Sequence, residues 1–69
     1  MENTRNVSKS FRKGERVASG QVFGTVIAVY GIDYIGTLIA FNSPSEDCYI
    51  LVQWDGACLV WENPNDILR

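Results

Sequence analysis

Cys48-Tyr49-Ile50-Leu51-Val52-Gln53-Trp54-Asp55-Gly56-Ala57-Cys58-Leu59-Val60-Trp61-Glu62 sets Asp-Gly between two runs of strand-forming residues, the strongest short-range signal for a β-hairpin. A two-residue loop needs positive φ at both central positions, which glycine adopts freely and aspartate tolerates better than most residues. Such a loop predicts the register. Trp54 faces Ala57, Gln53 faces Cys58, Val52 faces Leu59, Leu51 faces Val60, Ile50 faces Trp61 and Tyr49 faces Glu62. Alternation then sorts the side chains. Ile50, Val52, Trp54, Ala57, Leu59 and Trp61 form the expected core face. Tyr49, Leu51, Gln53, Cys58, Val60 and Glu62 form the other, which is also largely apolar.

Working outward, residues 1–9 hold a single apolar residue after the initiator methionine and show no periodicity. Residues 1–10 are therefore expected to be a flexible basic tail and 11–69 the folded domain. Phe11 caps the core, and a turn at Gly14 leads into a first strand over 15–19. Ser19-Gly20-Gln21 turns the chain into a second strand over 22–30, with a bulge or tight bend expected at Gly24. Gly24-Thr25-Val26-Ile27-Ala28 nearly repeats twelve residues on as Gly36-Thr37-Leu38-Ile39-Ala40, which predicts another strand over 35–41 after a turn at 31–34. Residues 42–47 are a polar loop. Asn63-Pro64-Asn65-Asp66 suits one 3-10 turn, and Ile67-Leu68-Arg69 a final short strand. With no sustained helical periodicity, the expectation is an all-β fold of five or six strands in a small, partly open barrel.

A chain of 69 residues is one domain, and folding at this size buries only about 60% of the unfolded chain's surface. There is no histidine, and the two cysteines do not make a four-ligand zinc site. Cys48 and Cys58 fall on opposite faces of the expected hairpin, so both are expected as free thiols. No metal or cofactor is expected. No run resembles a signal peptide or membrane span, which gives a cytoplasmic, membrane-free expectation. The net charge of −2 is unevenly spread: residues 1–19 carry five cations against two anions, the remainder one cation against six anions. A basic arm on an acidic body makes nucleic-acid binding through the N-terminal arm one alternative.

Catalysis has little to work with. No histidine serves Ser8, Ser10, Ser19, Cys48 or Cys58 as a base, and the glycines are spaced as turn residues rather than as a phosphate cradle. Glu46-Asp47 is an adjacent pair, whose side chains point apart on a loop. No catalytic residue is assigned, and a non-enzyme is expected.

A glycine-led first strand, a long second strand, the Asp-Gly hairpin, the 3-10 turn and the terminal strand together resemble an SH3-like small barrel. Phe11, Gly14-Glu15-Arg16-Val17, Gly24 with Val26, Tyr30, Pro64 and Ile67-Leu68 resemble the plasmid-borne type II dihydrofolate reductases over about residues 11–69. Gly-Glu-Arg-Val followed by Gly-Thr-Val is also similar to KOW-like and Tudor-like binding modules. The reductase resemblance implies a mobile-element origin, self-assembly up to a tetramer around a pore and, as a further alternative, a small oligomeric enzyme. That family's chemistry uses a Val-Gln-Ile-Tyr strand and a lysine after the first Arg-Val. Here those places read Leu59-Val60-Trp61-Glu62 and Ala18-Ser19, so the resemblance implies the scaffold without the activity.

The leading expectation is a small non-catalytic binding module for a protein or small-molecule ligand. Tyr30, Tyr34 and Trp54 are its candidate ligand-binding residues. Self-association is expected as well. Tyr49, Leu51, Cys58 and Val60, on the second hairpin face, would leave about several hundred Å² of apolar surface in water, and a homodimer or tetramer would cover it.

Overall fold

The computed structural model describes residues 10–33, 36 and 38–69. Its elements are β1 (Arg16–Ser19), β2 (Val22–Val29), β3 (Ile50–Trp54), β4 (Leu59–Glu62) and a 3-10 turn at Pro64–Asp66. The four strands form one antiparallel sheet in the order β1-β2-β3-β4. Among the described residues the chain is predominantly β, with no α-helix. The expected tail lies, apart from Ser10, outside the described residues.

The β1–β2 connection follows from Gly20. Ser19 pairs with Val22, and positive φ (64°) falls on Gly20 but not on Gln21, the type II′ pattern whose twist matches the flanking strands. β2 is long because it serves two neighbours, β1 and β3. Its irregularity lies at Ile27, between the Val26–Val52 and Ala28–Leu51 pairs. Gly24, where the sequence predicted a bulge, instead keeps regular register between Val17 and Trp54. The extra residue at Ile27 lets Val26 and Val29 share one face while Ala28 meets the other.

The hairpin register departs from expectation by one residue. Ile50 pairs with Glu62, Leu51 with Trp61, Val52 with Val60 and Gln53 with Leu59, so the loop is Asp55-Gly56-Ala57. Positive φ (70°) occurs at Gly56 and not at Asp55, and Ala57 N–H donates to the Trp54 carbonyl at 3.0 Å. That is the type II pattern, with glycine at its third position. Gln53 holds the longer loop by donating Nε2–H to the carbonyls of Trp54 (2.9 Å) and Ala57 (2.6 Å). Asp55 N–H donates to the Phe23 carbonyl at 2.9 Å, tying the loop to β2. A one-residue slip turns every β4 side chain over. Val60 and Glu62 therefore join Ile50, Val52 and Trp54, while Trp61 joins Leu51.

Both faces of the sheet are consequently packed. One carries Val17, Val26, Val29, Ile50, Val52 and Trp54 under Phe11 and Ile67. The other carries Ala28, Leu51 and Trp61, with Ile27, Ala40, Cys48 and Leu59 against them. Leu51 is 0% exposed in the single chain. On the side that holds Leu51, which the sequence left for a second copy, Ala40 and Cys48 of the same chain pack against the cluster. Residues 38–41 do not form the expected strand, and Ile35 and Thr37 of that run lie outside the described residues. Phe41 N–H donates to the Leu59 carbonyl at 2.7 Å. Asn42 then accepts from Trp61 N–H (2.7 Å) and donates Nδ2–H to the Trp61 carbonyl (3.0 Å). Its amide thus stands in for a neighbouring strand along the outer edge of β4.

The opposite edge is closed by the C-terminus. Ala18 and Leu68 exchange both backbone hydrogen bonds, at 2.7 and 2.8 Å. This is a single bridge rather than the expected strand. The 3-10 turn that delivers it starts at Pro64 and is capped by Asn63, whose Oδ1 accepts from Asn65 N–H at 2.8 Å. The Arg69 guanidinium lies 4.7 Å over the Phe11 ring and pairs with Glu15.

Candidate functional site

The register slip creates an open groove of about 430 Å³, lined by Ser19, Val22, Phe41, Trp54, Ala57, Cys58, Val60 and Glu62. Its position follows from alternation. Ser19 pairs with Val22, two residues along each strand from the Val17–Gly24 pair and on the same face. Gly24 in turn sits opposite Trp54. A Cβ at Gly24 would lie 2.8 Å from Trp54 Cε3, Val52 Cγ1 and the Gln53 carbonyl oxygen. The missing side chain is the seat in which the indole lies.

Trp54 is 7% exposed, and its Nε1–H donates to Glu62 Oε2 at 2.8 Å. A buried indole N–H needs an acceptor, and this one orients the carboxylate at the same time. Val22 and Phe41 leave apolar surface in solvent along the groove, at 49% and 78% exposure. Beyond the groove, Arg16 reaches Asp55 through two hydrogen bonds, at 3.0 and 2.7 Å, and Thr25 Oγ1 at 2.8 Å. The side-chain hydrogen bonds from Arg16 hold the Asp55 carboxyl below its ordinary range, and the same bonds raise the guanidinium. This fixes the hairpin loop to β1 and β2.

The residues singled out from sequence are dispersed. Trp54 forms part of the groove wall. Tyr30 does not approach it: its ring meets Trp61 edge-on at 5.8 Å, and Trp61 packs with Leu51 on the opposite face. Tyr34 lies outside the described residues. Of the interface set, Leu51 is interior and Tyr49 half-buried against the first core. Cys58 and Val60 line the groove, so the four make no single patch. Both cysteines are free, Cys48 half-buried and Cys58 exposed.

Glu62, Val22, Phe41 and Ser19 were not singled out as site residues from sequence. The available signal was Glu62 itself, the one charge in an otherwise apolar strand, but the assumed register placed it away from Trp54. Among the described residues no group of three or more His, Cys, Asp or Glu could hold a metal ion, and no helix is long and apolar enough to cross a membrane.

These features define a small antiparallel β protein with one-sided groove chemistry. No protein-family model, curated protein or solved structure matches the chain.

Proposed function

We propose that the chain is a small non-catalytic binding module on an SH3-like barrel, with the Trp54–Glu62 groove as its ligand site. The barrel reading is supported by the Ala18–Leu68 bridge, which adds the C-terminus to the outer edge of β1, and by the bulge that bends β2. The observation that carries the binding reading is an open, apolar-walled groove with a fixed polar pair in its lining, a composition that suits a small-ligand site. Amide chemical-shift mapping during a fragment titration tests it. Shifts centred on Val22, Trp54, Val60 and Glu62 are expected, and saturable binding centred elsewhere would refute the assignment.

Self-association is a second reading, favoured by the exposure of Ile32 (79%), Ile39 (89%) and Phe41 (78%). These side chains lie in the chain between β2 and β3. Sedimentation equilibrium of the wild type should then give a mass above 7.7 kDa, and Ile39→Glu should lower it to the monomer. A wild-type monomer at the highest soluble concentration ends this reading.

A further inference from the structure

Glu62 gives the groove a chemical preference. Glu62 is a half-buried residue whose carboxylate spends Oε2 on the Trp54 indole and has no cationic partner among the described residues, whose ion pairs are Arg16–Asp55 and Arg69–Glu15. It shares the groove with the apolar side chains of Val22, Phe41, Ala57 and Val60. A carboxylate set among apolar side chains gives up hydration without recovering it from a partner charge. A cation arriving with an apolar body restores that interaction and covers the exposed walls together. The long-range field agrees in sign, since residues 11–69 carry four cations against seven anions, a balance that draws cations toward the body.

Strand addition by an extended peptide has little backbone to use. The outer edge of β4 is bonded to Phe41 and Asn42, and that of β1 to Leu68. The groove's volume of about 430 Å³ lies in the range of small-molecule sites. We propose that the groove binds a small organic cation, an ammonium group on an apolar carrier, with Glu62 taking the ammonium and Val22, Phe41 and Val60 the carrier. This rests on the reading of the groove as the ligand site.

The test uses the full chain and three probes of one shape: 2-phenylethylammonium, neutral 2-phenylethanol and anionic phenylacetate. Each is titrated into ¹⁵N-labelled wild type and Glu62→Gln, reading the Trp54 indole N–H and the Val22 and Val60 amides. Glutamine keeps an oxygen to accept the indole hydrogen, so the variant removes charge and little else. The ammonium should bind about three- to tenfold more tightly than the alcohol, the range for a partly exposed charge-assisted contact, and phenylacetate weakest. Glu62→Gln should abolish the preference and leave the alcohol unchanged. Equal affinities for the three probes, or a preference that survives Glu62→Gln, overturn the cation assignment while leaving the groove as a site. If no probe moves these resonances, the groove reading itself fails. A lysine-bearing peptide that binds more tightly than the free ammonium overturns the small-molecule assignment. Should Glu62→Gln not fold, the ranking on the wild type is repeated at high salt, which screens the long-range field; a preference that persists with shifts centred on the Trp54 indole supports the assignment, and one that vanishes overturns it.

Discussion

Gly24→Ala isolates the contact that seats Trp54. Gly24 is not among the glycines with positive φ, so alanine meets no backbone strain there, and any loss of stability is steric. The added methyl would sit 2.8 Å from the Gln53 carbonyl oxygen, Trp54 Cε3 and Val52 Cγ1. One of these is backbone held in the β3 ladder, and the other two belong to side chains in the same core. Overpacking of this kind destabilises by about 1–3 kcal/mol. Against that, replacing glycine restricts the unfolded chain and returns about 0.4–1 kcal/mol. The balance is a loss of about 1–2 kcal/mol, which for a domain of this size lowers the melting temperature by about 5–15 °C. Thermal melts followed by tryptophan fluorescence measure it. Gly20→Ala is the control, since nothing lies within 4 Å of its added methyl but φ is +64°. It should lose stability through backbone strain while leaving the Trp54 indole resonance in place. A Gly24→Ala protein that melts at or above wild type, with that resonance unmoved, would mean that Gly24 does not seat the Trp54 indole.

Leu51→Glu should abolish the cooperative melt, because it buries an unpaired carboxylate at a position 0% exposed, a change worth about 4 kcal/mol or more in a marginal domain. A soluble, folded Leu51→Glu would return that residue to the surface. Asn42→Ala removes both side-chain bonds to the Trp61 backbone and should destabilise by about 1–3 kcal/mol, with faster hydrogen exchange at the Trp61 amide. An unchanged exchange rate would mean that the edge of β4 is protected by something else. Asp55 has its carboxyl lowered by the hydrogen bonds from Arg16. The pair therefore stabilises the fold above the ordinary aspartate range, and that contribution is lost as pH falls through the lowered value. Melting temperature plotted against pH should fall less steeply in acid for Arg16→Met than for wild type, and parallel curves would remove the pair from the account.

Strands β1 and β2, the hairpin runs and the 3-10 turn were legible because each has a local cause: β-branched runs, glycine turns, and proline after a capping asparagine. The loop length was not. Asp-Gly serves both a two-residue I′ turn, with positive φ at both residues, and a type II turn that asks it of Gly56 alone. What decides between them is Gln53 reaching the loop carbonyls and Asp55 reaching Phe23, contacts that local pattern does not contain. Periodicity gave no correction, because Leu51 and Val60 are as apolar as Val52 and Leu59, so either register buries hydrophobic side chains. The groove inherited this error. Trp54 was found from its residue type, but its pairing with Glu62 exists only in the slipped register. Residues 38–41 read as a strand from composition, yet Asn42 ends the run by pairing with Trp61 through its side chain.

The three-residue loop places Trp54, Val60 and Glu62 on one face and Leu51 with Trp61 on the other. A two-dimensional NOE spectrum of the wild type tests it directly. The structure predicts cross-strand contacts of Val52 with Val60 and of Leu51 with Trp61, together with contacts from the Trp54 indole hydrogen to Glu62. Cross-strand contacts of Val52 with Leu59 and of Ile50 with Trp61 in their place would restore the two-residue loop, turn β4 over and remove the groove.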